Sequence, residues 1–437
     1  MDVKKLISDV KLSSVVPATI TGDNKIHHEF TNMDLIMKLH YIKGLYFFKN
    51  DAVEGLHIYD LKLPTFKLLE LYYQTSGRIR RSGDGGGGGR PFIKCNDGGV
   101  RIVEAKCKNK TIDEWLLAMN DHDDEEEELV YDQLLGPELG FSPLVFIQFT
   151  WFKCGGMSIG LSWAHVLGDS FSASNFINMW AQIMAGQLSP QFLHKSTKTN
   201  KLINNPILST VGKLPFSLKR VDPVGDHWKI TNSCKMHSHS FHITQEQLNQ
   251  LISKVCVTKL KPFDVICATM WKMLAKVRGE YSSEPAIITI IHRNDDPRDN
   301  ETTKVSSNNQ VIISIVDVND VRVSEADTSE LAELIAEKIV DETRVIEELV
   351  EKENGVSDFV VYGANLTFVN LEEAKIYDLE LRGKKPIFAS YNISGVGDEG
   401  VILVLQRPEG GRTVNLVLPQ KQIEGLKNKM REEWGVF

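Results

Sequence analysis

The sequence predicts an α/β protein with mixed sheets in two halves, and three observations carry that reading. At 437 residues the chain exceeds one ordinary core and suits two domains of ~200 residues each. Strand-period and helix-period segments mix in both halves, with no short internal repeat. Between them, residues 186–228 lose all periodicity and carry Pro190, Pro206, Pro215 and Pro223, as an interdomain crossover would. The expected division is an N-terminal domain over 1–185, a linker over 186–228 and a C-terminal domain over 229–437.

In the first half, β-branched alternation over 11–20 predicts a short strand ending near Pro17. Leu35, Leu39, Tyr41, Ile42 and Leu45 follow a helical pattern over 33–48, with Thr31 or Asn32 as cap. A second helix is expected over 64–73. The glycine run within 82–89 reads as a mobile loop tip. The acidic run over 121–128 reads as a solvated loop, because carboxylates in an unbroken row repel one another and lack the alternate spacing of a calcium loop. Residues 146–152 read as a strand and Gly155-Gly156 as a hairpin turn. Met157, Ile159, Leu161 and Trp163 then alternate with small or polar residues, which predicts a half-buried strand. That period places His165 on the apolar face at the strand end. Asp169 follows as a helix cap, and Phe176, Ile177, Trp180, Ile183 and Met184 form the stripe of the next helix.

The second half restarts with a strand over 234–241. Thr244 and Gln247 form a capping box for a helix to about Val255. A buried helix is expected over 263–279, strands over 286–291 and 310–316, and one long amphipathic helix over 328–352. Strands over 401–405 and 413–418 flank a turn at Gly410-Gly411, and Pro419 opens a terminal helix.

Composition narrows the function. A net charge of -8 argues against a nucleic-acid partner, which needs a clustered positive field, but leaves room for a small anion such as coenzyme A. Cys95, Cys107, Cys154, Cys234, Cys256 and Cys267 form no C-x-x-C pair and no cluster with histidines at ligand spacing, so no metal site is expected. The N-terminus leads into no apolar run of signal-peptide length, and no stretch approaches the ~18 apolar residues of a membrane helix. A reduced, cytoplasmic protein is the expectation, with any membrane association peripheral or through a partner.

His165 is the candidate for chemistry. A neutral imidazole, with an ordinary pKa near ~6.5, accepts a proton from a hydroxyl or amine at neutral pH. An apolar wall keeps it neutral by disfavouring the imidazolium. A core histidine bonded to backbone would give the same local pattern, and the residue alone does not separate the two.

The surroundings do more. Phe152-Lys153-Cys154-Gly155-Gly156, then His165-x-x-x-Asp169, then Phe176, Trp180 and Ala181 closely resemble the BAHD acyl-CoA-dependent acyltransferases. Val15-Val16-Pro17-Ala18, Gly77-Arg78-Ile79, Glu104-Ala105 and the 263–272 segment extend the resemblance over nearly the whole chain. It implies two similar chloramphenicol-acetyltransferase-like domains with a channel between them. It also implies His165 as general base toward an acyl thioester, with Asp169 positioned by an arginine, for which Arg293 is the local candidate. No tightly held cofactor is implied; acyl-CoA would enter as substrate.

The sequence also departs from those enzymes. Where the family carries D-F-G-W-G-K-P, this chain has Glu380-Leu381-Arg382-Gly383-Lys384-Lys385-Pro386, which puts standard handling of coenzyme A in doubt. Ser170 replaces a common glycine, and the arginine stretch is reduced to Ile291-His292-Arg293-Asn294-Asp295. The stretches 12–18, 32–41, 362–371 and 396–401 are similar to one clade, the Eceriferum and Glossy-type wax proteins of plants. That resemblance implies a monomer promoting very-long-chain fatty acyl elongation for cuticular wax at the cytosolic face of the endoplasmic reticulum. Its partner would be the condensing enzyme, 3-ketoacyl-CoA synthase, and His165 and Asp169 would be dispensable. The alternative is an acyltransferase that uses His165 on a hydroxyl acceptor.

Overall fold

The computed structural model describes residues 6–82, 88–121, 128–187, 214–255, 260–279, 284–294, 308–318 and 321–434. The centres of the glycine run and of the acidic run, and residues 188–213 of the expected linker, lie outside them. Two mixed sheets dominate the described residues. The first has six strands in the order Ser8–Val15, Val100–Cys107, Val145–Phe152, Met157–Ala164, Tyr41–Phe48 and Phe388–Ser394. Only the Val100–Cys107 and Val145–Phe152 pair runs parallel. The second has seven: Met236–Ile243, Arg412–Pro419, Val401–Gln406, Leu366–Leu371, Ile287–Arg293, Val311–Asp317 and Val340–Asp341. Leu366–Leu371 runs parallel to both of its neighbours.

The hairpin at Gly155-Gly156 forms as expected, but Met157–Ala164 is buried along both faces rather than one. Its large side chains pack on helix Ser170–Met184, where Trp163 meets Phe176 at 5.2 Å between ring centroids. Its small side chains face residues 129–130, and a Cβ on Gly160 would lie 2.1 Å from the Leu129 carbonyl oxygen. Small residues here admit a second layer of backbone, not solvent.

Three other expectations are corrected. The helix expected over 33–48 is a short helix, Asn32–Ile36, capped by Thr31 in a capping box with Asp34, followed by the strand Tyr41–Phe48. That strand is central and covered on both faces, so its aromatic and branched run shows no alternation. The helix expected over 64–73 starts at Ile58, with the Asp60 carboxylate accepting the His57 N–H at 2.9 Å and Pro64 buried within it. The long helix over 328–352 is two helices, Thr328–Glu337 and Thr343–Lys352. Val340–Asp341 breaks it by pairing with Val311–Asp317, a use that favours a β-branched residue. The capping box at Thr244 and Gln247 forms as expected.

Phe388–Ser394 pairs with Tyr41–Phe48 from Phe388↔Phe47 to Ser394↔Tyr41. A strand from the 229–437 segment thus completes the first sheet. Glu128, at the end of the acidic run, is not a solvated side chain: it accepts the N–H groups of Leu6 and Ile7 at 3.0 and 3.2 Å. No helix among the described residues is long and apolar enough to cross a membrane.

Candidate active site

Strand Met157–Ala164 hands the chain to a single 3-10 turn, His165–Leu167, and the His165 side chain is fully buried there. Its backbone N–H donates to the His40 carbonyl at 3.1 Å, and its carbonyl accepts from Asn309 Nδ2 at 2.9 Å. Nε2 lies 2.9 Å from the Tyr362 hydroxyl. Nδ1 is buried with no partner among the described residues. Burial pulls the imidazole down to a pKa of about 4, so it is neutral at pH 7. It has the protonation state of a base, but Tyr362 occupies one nitrogen and protein covers the other. The same burial pushes the Tyr362 phenol far up, so it stays protonated.

Asp169 caps helix Ser170–Met184, accepting from Ser172 N–H at 2.8 Å through Oδ1 and from Gln310 N–H at 3.1 Å through Oδ2. Burial raises its pKa, opposed by these amides and, more weakly, by the field of Arg293. The ion pair expected with Arg293 does not form. The guanidinium sits over the Phe171 ring, 5.1 Å from its centroid, and the carboxylate is already filled on both oxygens by backbone donors. Gly168 makes the approach with φ +145, and a Cβ there would lie 2.7 Å from Ser172 Cβ. Asp169 therefore holds the turn and does not reach the imidazole nitrogens by any bond.

A second buried histidine completes the site. His40 Nδ1 contacts the Gly395 carbonyl at 2.7 Å, and Nε2 accepts the Val361 N–H at 3.1 Å. The Nδ1-protonated ring satisfies both. Burial first, and the neighbouring His165 second, take its pKa to about 3. Its ring stands edge-on to Tyr362 at 4.9 Å. The Tyr362 carbonyl in turn accepts Gly397 N–H at 2.8 Å. Tyr362 is thus fixed at its backbone on both sides and at its hydroxyl.

A cavity of about 270 Å³ lies beside this clamp, lined by Leu39, Tyr41, Lys43, Trp228, Asn392 and Gly395 among others. His165 is not part of its wall. Lys43 and Asp132 pair across its rim at 2.8 Å. The segment standing for the family's second signature folds as a tight turn, with Leu381 bridged to Lys384. Arg382 donates to the Glu54 carbonyl and Lys384 pairs with Asp51 at 3.2 Å. No cluster able to hold a metal occurs among the described residues.

The structure therefore brings His165 and Asp169 to one turn but joins them to different partners. Tyr362, His40, Asn309 and Asp34 belong to the site and went unassigned in the sequence. Their one local signal is that a histidine abuts each of two adjacent apolar strands: His40 precedes one and His165 follows the other.

Residues 9–433 match a family model described as the Transferase family. Protein ECERIFERUM 2 of Arabidopsis thaliana is 41% identical over 433 residues, covering 97% of this chain and 98% of that protein. ECERIFERUM 26 of the same plant is 36% identical, covering 98% and 96%. A hydroxycinnamoyltransferase of Narcissus pseudonarcissus is 26% identical over 63% of this chain and 62% of its own. Vinorine synthase superposes with a TM-score of 0.70 at 16% identity, covering 98% of each chain. TRI101 of F. sporotrichioides, complexed with coenzyme A and T-2, superposes at 0.70 with 15% identity over 94% of this chain and 98% of its own. With the family model spanning nearly the whole length and the ECERIFERUM proteins aligned end to end, the chain belongs to the Transferase family of BAHD-fold proteins.

Proposed function

We propose that this protein promotes very-long-chain fatty acyl elongation for cuticular wax, acting beside the elongase condensing enzyme at the cytosolic face of the endoplasmic reticulum. The observation that carries the reading is that the family's base, His165, is sealed: Nε2 faces Tyr362 and Nδ1 faces protein. A general base must come within hydrogen-bond reach of the proton it removes, and here the Tyr362 hydroxyl takes that place. The end-to-end likeness to ECERIFERUM 2 and 26 supports the wax role. The altered Glu380-to-Pro386 segment, folded as a tight turn, supports a departure from ordinary acyl-CoA use. An acyltransferase reading rests on the retained, neutral imidazole.

The test is acyl chain-length profiling in yeast that expresses a plant condensing enzyme with the wild-type protein, His165→Ala or an empty vector. The accessory role expects equal lengthening by wild type and variant. Loss of lengthening in a folded His165→Ala protein would overturn it in favour of acyl transfer.

A further inference from the structure

We infer that Tyr362 is a built-in stopper, its phenol standing where an acceptor hydroxyl would stand, and that His165 behind it remains a competent base. The inference rests on the sealed site described above and adds what seals it and what the seal conceals.

The geometry is that of an acceptor complex made within one chain. The Tyr362 oxygen lies 2.9 Å from Nε2, the separation a proton-abstracting pair requires. The rings lie 5.4 Å apart and tilted at 37°, so the phenol covers the imidazole as well as bonding it. Tyr362 is anchored through its own backbone and that of both neighbours. Val361 N–H is held by His40, the Tyr362 carbonyl by Gly397, and Gly363 N–H by the Thr367 hydroxyl at 3.1 Å. Gly363 turns the chain at φ +85, where its Cβ position lies 2.4 Å from the Gly397 carbonyl oxygen. Behind the phenol, Asn309 Nδ2 holds the His165 carbonyl and Asp169 caps the helix that follows the turn.

The cavity lies one residue away from the clamp, and neither Tyr362 nor His165 lines it. Its wall includes Leu39, Gly395 and Val396, the chain neighbours of His40 and Gly397, which clamp Tyr362. Shortening the side chain at 362 would leave water-sized space directly against His165 Nε2, where the phenol oxygen now stands. Water could then give a proton to His165 Nε2 while its oxygen bonds to the carbonyl carbon of an acyl thioester. The carbon–sulfur bond would break, the thiol would leave with the proton returned by the imidazolium, and a free fatty acid would remain.

The experiment uses the purified full-length chain as wild type, Tyr362→Phe, Tyr362→Leu, Tyr362→Ala and Tyr362→Ala/His165→Ala, each checked for folding by urea titration. Diethyl pyrocarbonate modification is read by peptide mass spectrometry, with exposed His57 as internal reference. In wild type and Tyr362→Phe, His165 should react about a hundredfold more slowly than His57, since it reacts only from rare opened states. In Tyr362→Ala it should approach His57, with Tyr362→Leu as the version that keeps most of the core volume. Hydrolysis of palmitoyl-CoA should rise on the order of a hundredfold in the opened variants and vanish in the double variant. Wild-type His165 reacting as fast as His57 overturns the seal, and continued protection in both shortened, folded variants overturns the assignment to Tyr362. A reactive His165 with no gain in hydrolysis overturns the competent base. None of these outcomes depends on lengthening in yeast, so the two readings fail separately.

Discussion

Asp34 and Asn309, 275 positions apart in the chain, share one buried contact: both the backbone N–H and Nδ2 of Asn309 donate to Asp34 Oδ1 at 2.9 Å. Nδ2 also donates to the His165 carbonyl, so Asn309, from the far half of the chain, ties the candidate base to the capping-box residue Asp34. Replacing Asp34 by alanine strands the buried backbone N–H of Asn309 and removes the acceptor of the Thr31 N–H. Urea unfolding should show a loss of about 3 kcal/mol. Asp34→Asn should also be destabilising, because its amide group turns a donor toward donors.

Asp169 and Arg293 should behave as independent residues. Asp169→Ala removes a helix cap and leaves Gln310 N–H without its acceptor, for a loss of about 2–3 kcal/mol. Arg293→Met should cost under about 1 kcal/mol, since among the described residues the guanidinium overlies Phe171 and acts on Asp169 through its field without a direct bond. A double-mutant cycle with coupling above about 1 kcal/mol would restore the ion pair.

The two buried histidines of the site, His40 and His165, make stability fall in mild acid. Each has a folded pKa depressed from an ordinary 6.5, to about 4 for His165 and about 3 for His40. The unfolded chain therefore binds protons below pH 6.5 that the folded chain refuses. The stabilisation is complete above that value and is lost as pH falls toward 4, by about 1.4 kcal/mol per pH unit for each residue. Denaturant titrations at pH 7 and pH 5 should show a shallower decline in His165→Ala by about that slope.

Lys38 and Asp358 form a buried pair at 2.7 Å, and Asp358 also accepts Val224 N–H at 2.8 Å. Lys38→Met leaves the carboxylate buried and unpaired, and should cost about 3–5 kcal/mol. Adding Asp358→Leu should recover part of that loss in thermal unfolding, because no uncompensated charge remains.

What could be read in advance followed from local physics. The hairpin at Gly155-Gly156, the capping box at Thr244 and the Asp169 cap each depend on residues within a few positions. Tyr41–Phe48 could not be read, because a strand covered on both faces loses alternation and its apolar run also fits a helix. The split at Val340 was hidden because only its pairing partner near Ile315 makes the break worthwhile. The pairing of Arg293 with Asp169 comes from the family resemblance and a single local arginine, whereas here backbone amides take the carboxylate. Tyr362 lies 197 positions from His165, and no spacing rule spans that distance.

The strand Phe388–Ser394 sets an order of events during synthesis. Tyr41–Phe48 leaves the ribosome early, yet its outer neighbour in the sheet follows more than three hundred residues later. Until then one edge of an apolar sheet is open to pairing with other chains. A nascent chain released before residue 394 would carry that edge permanently, so premature termination even in the last quarter should yield aggregate and not a stable N-terminal fragment. Conversely, the chain cut between the halves should fold only when both pieces are mixed.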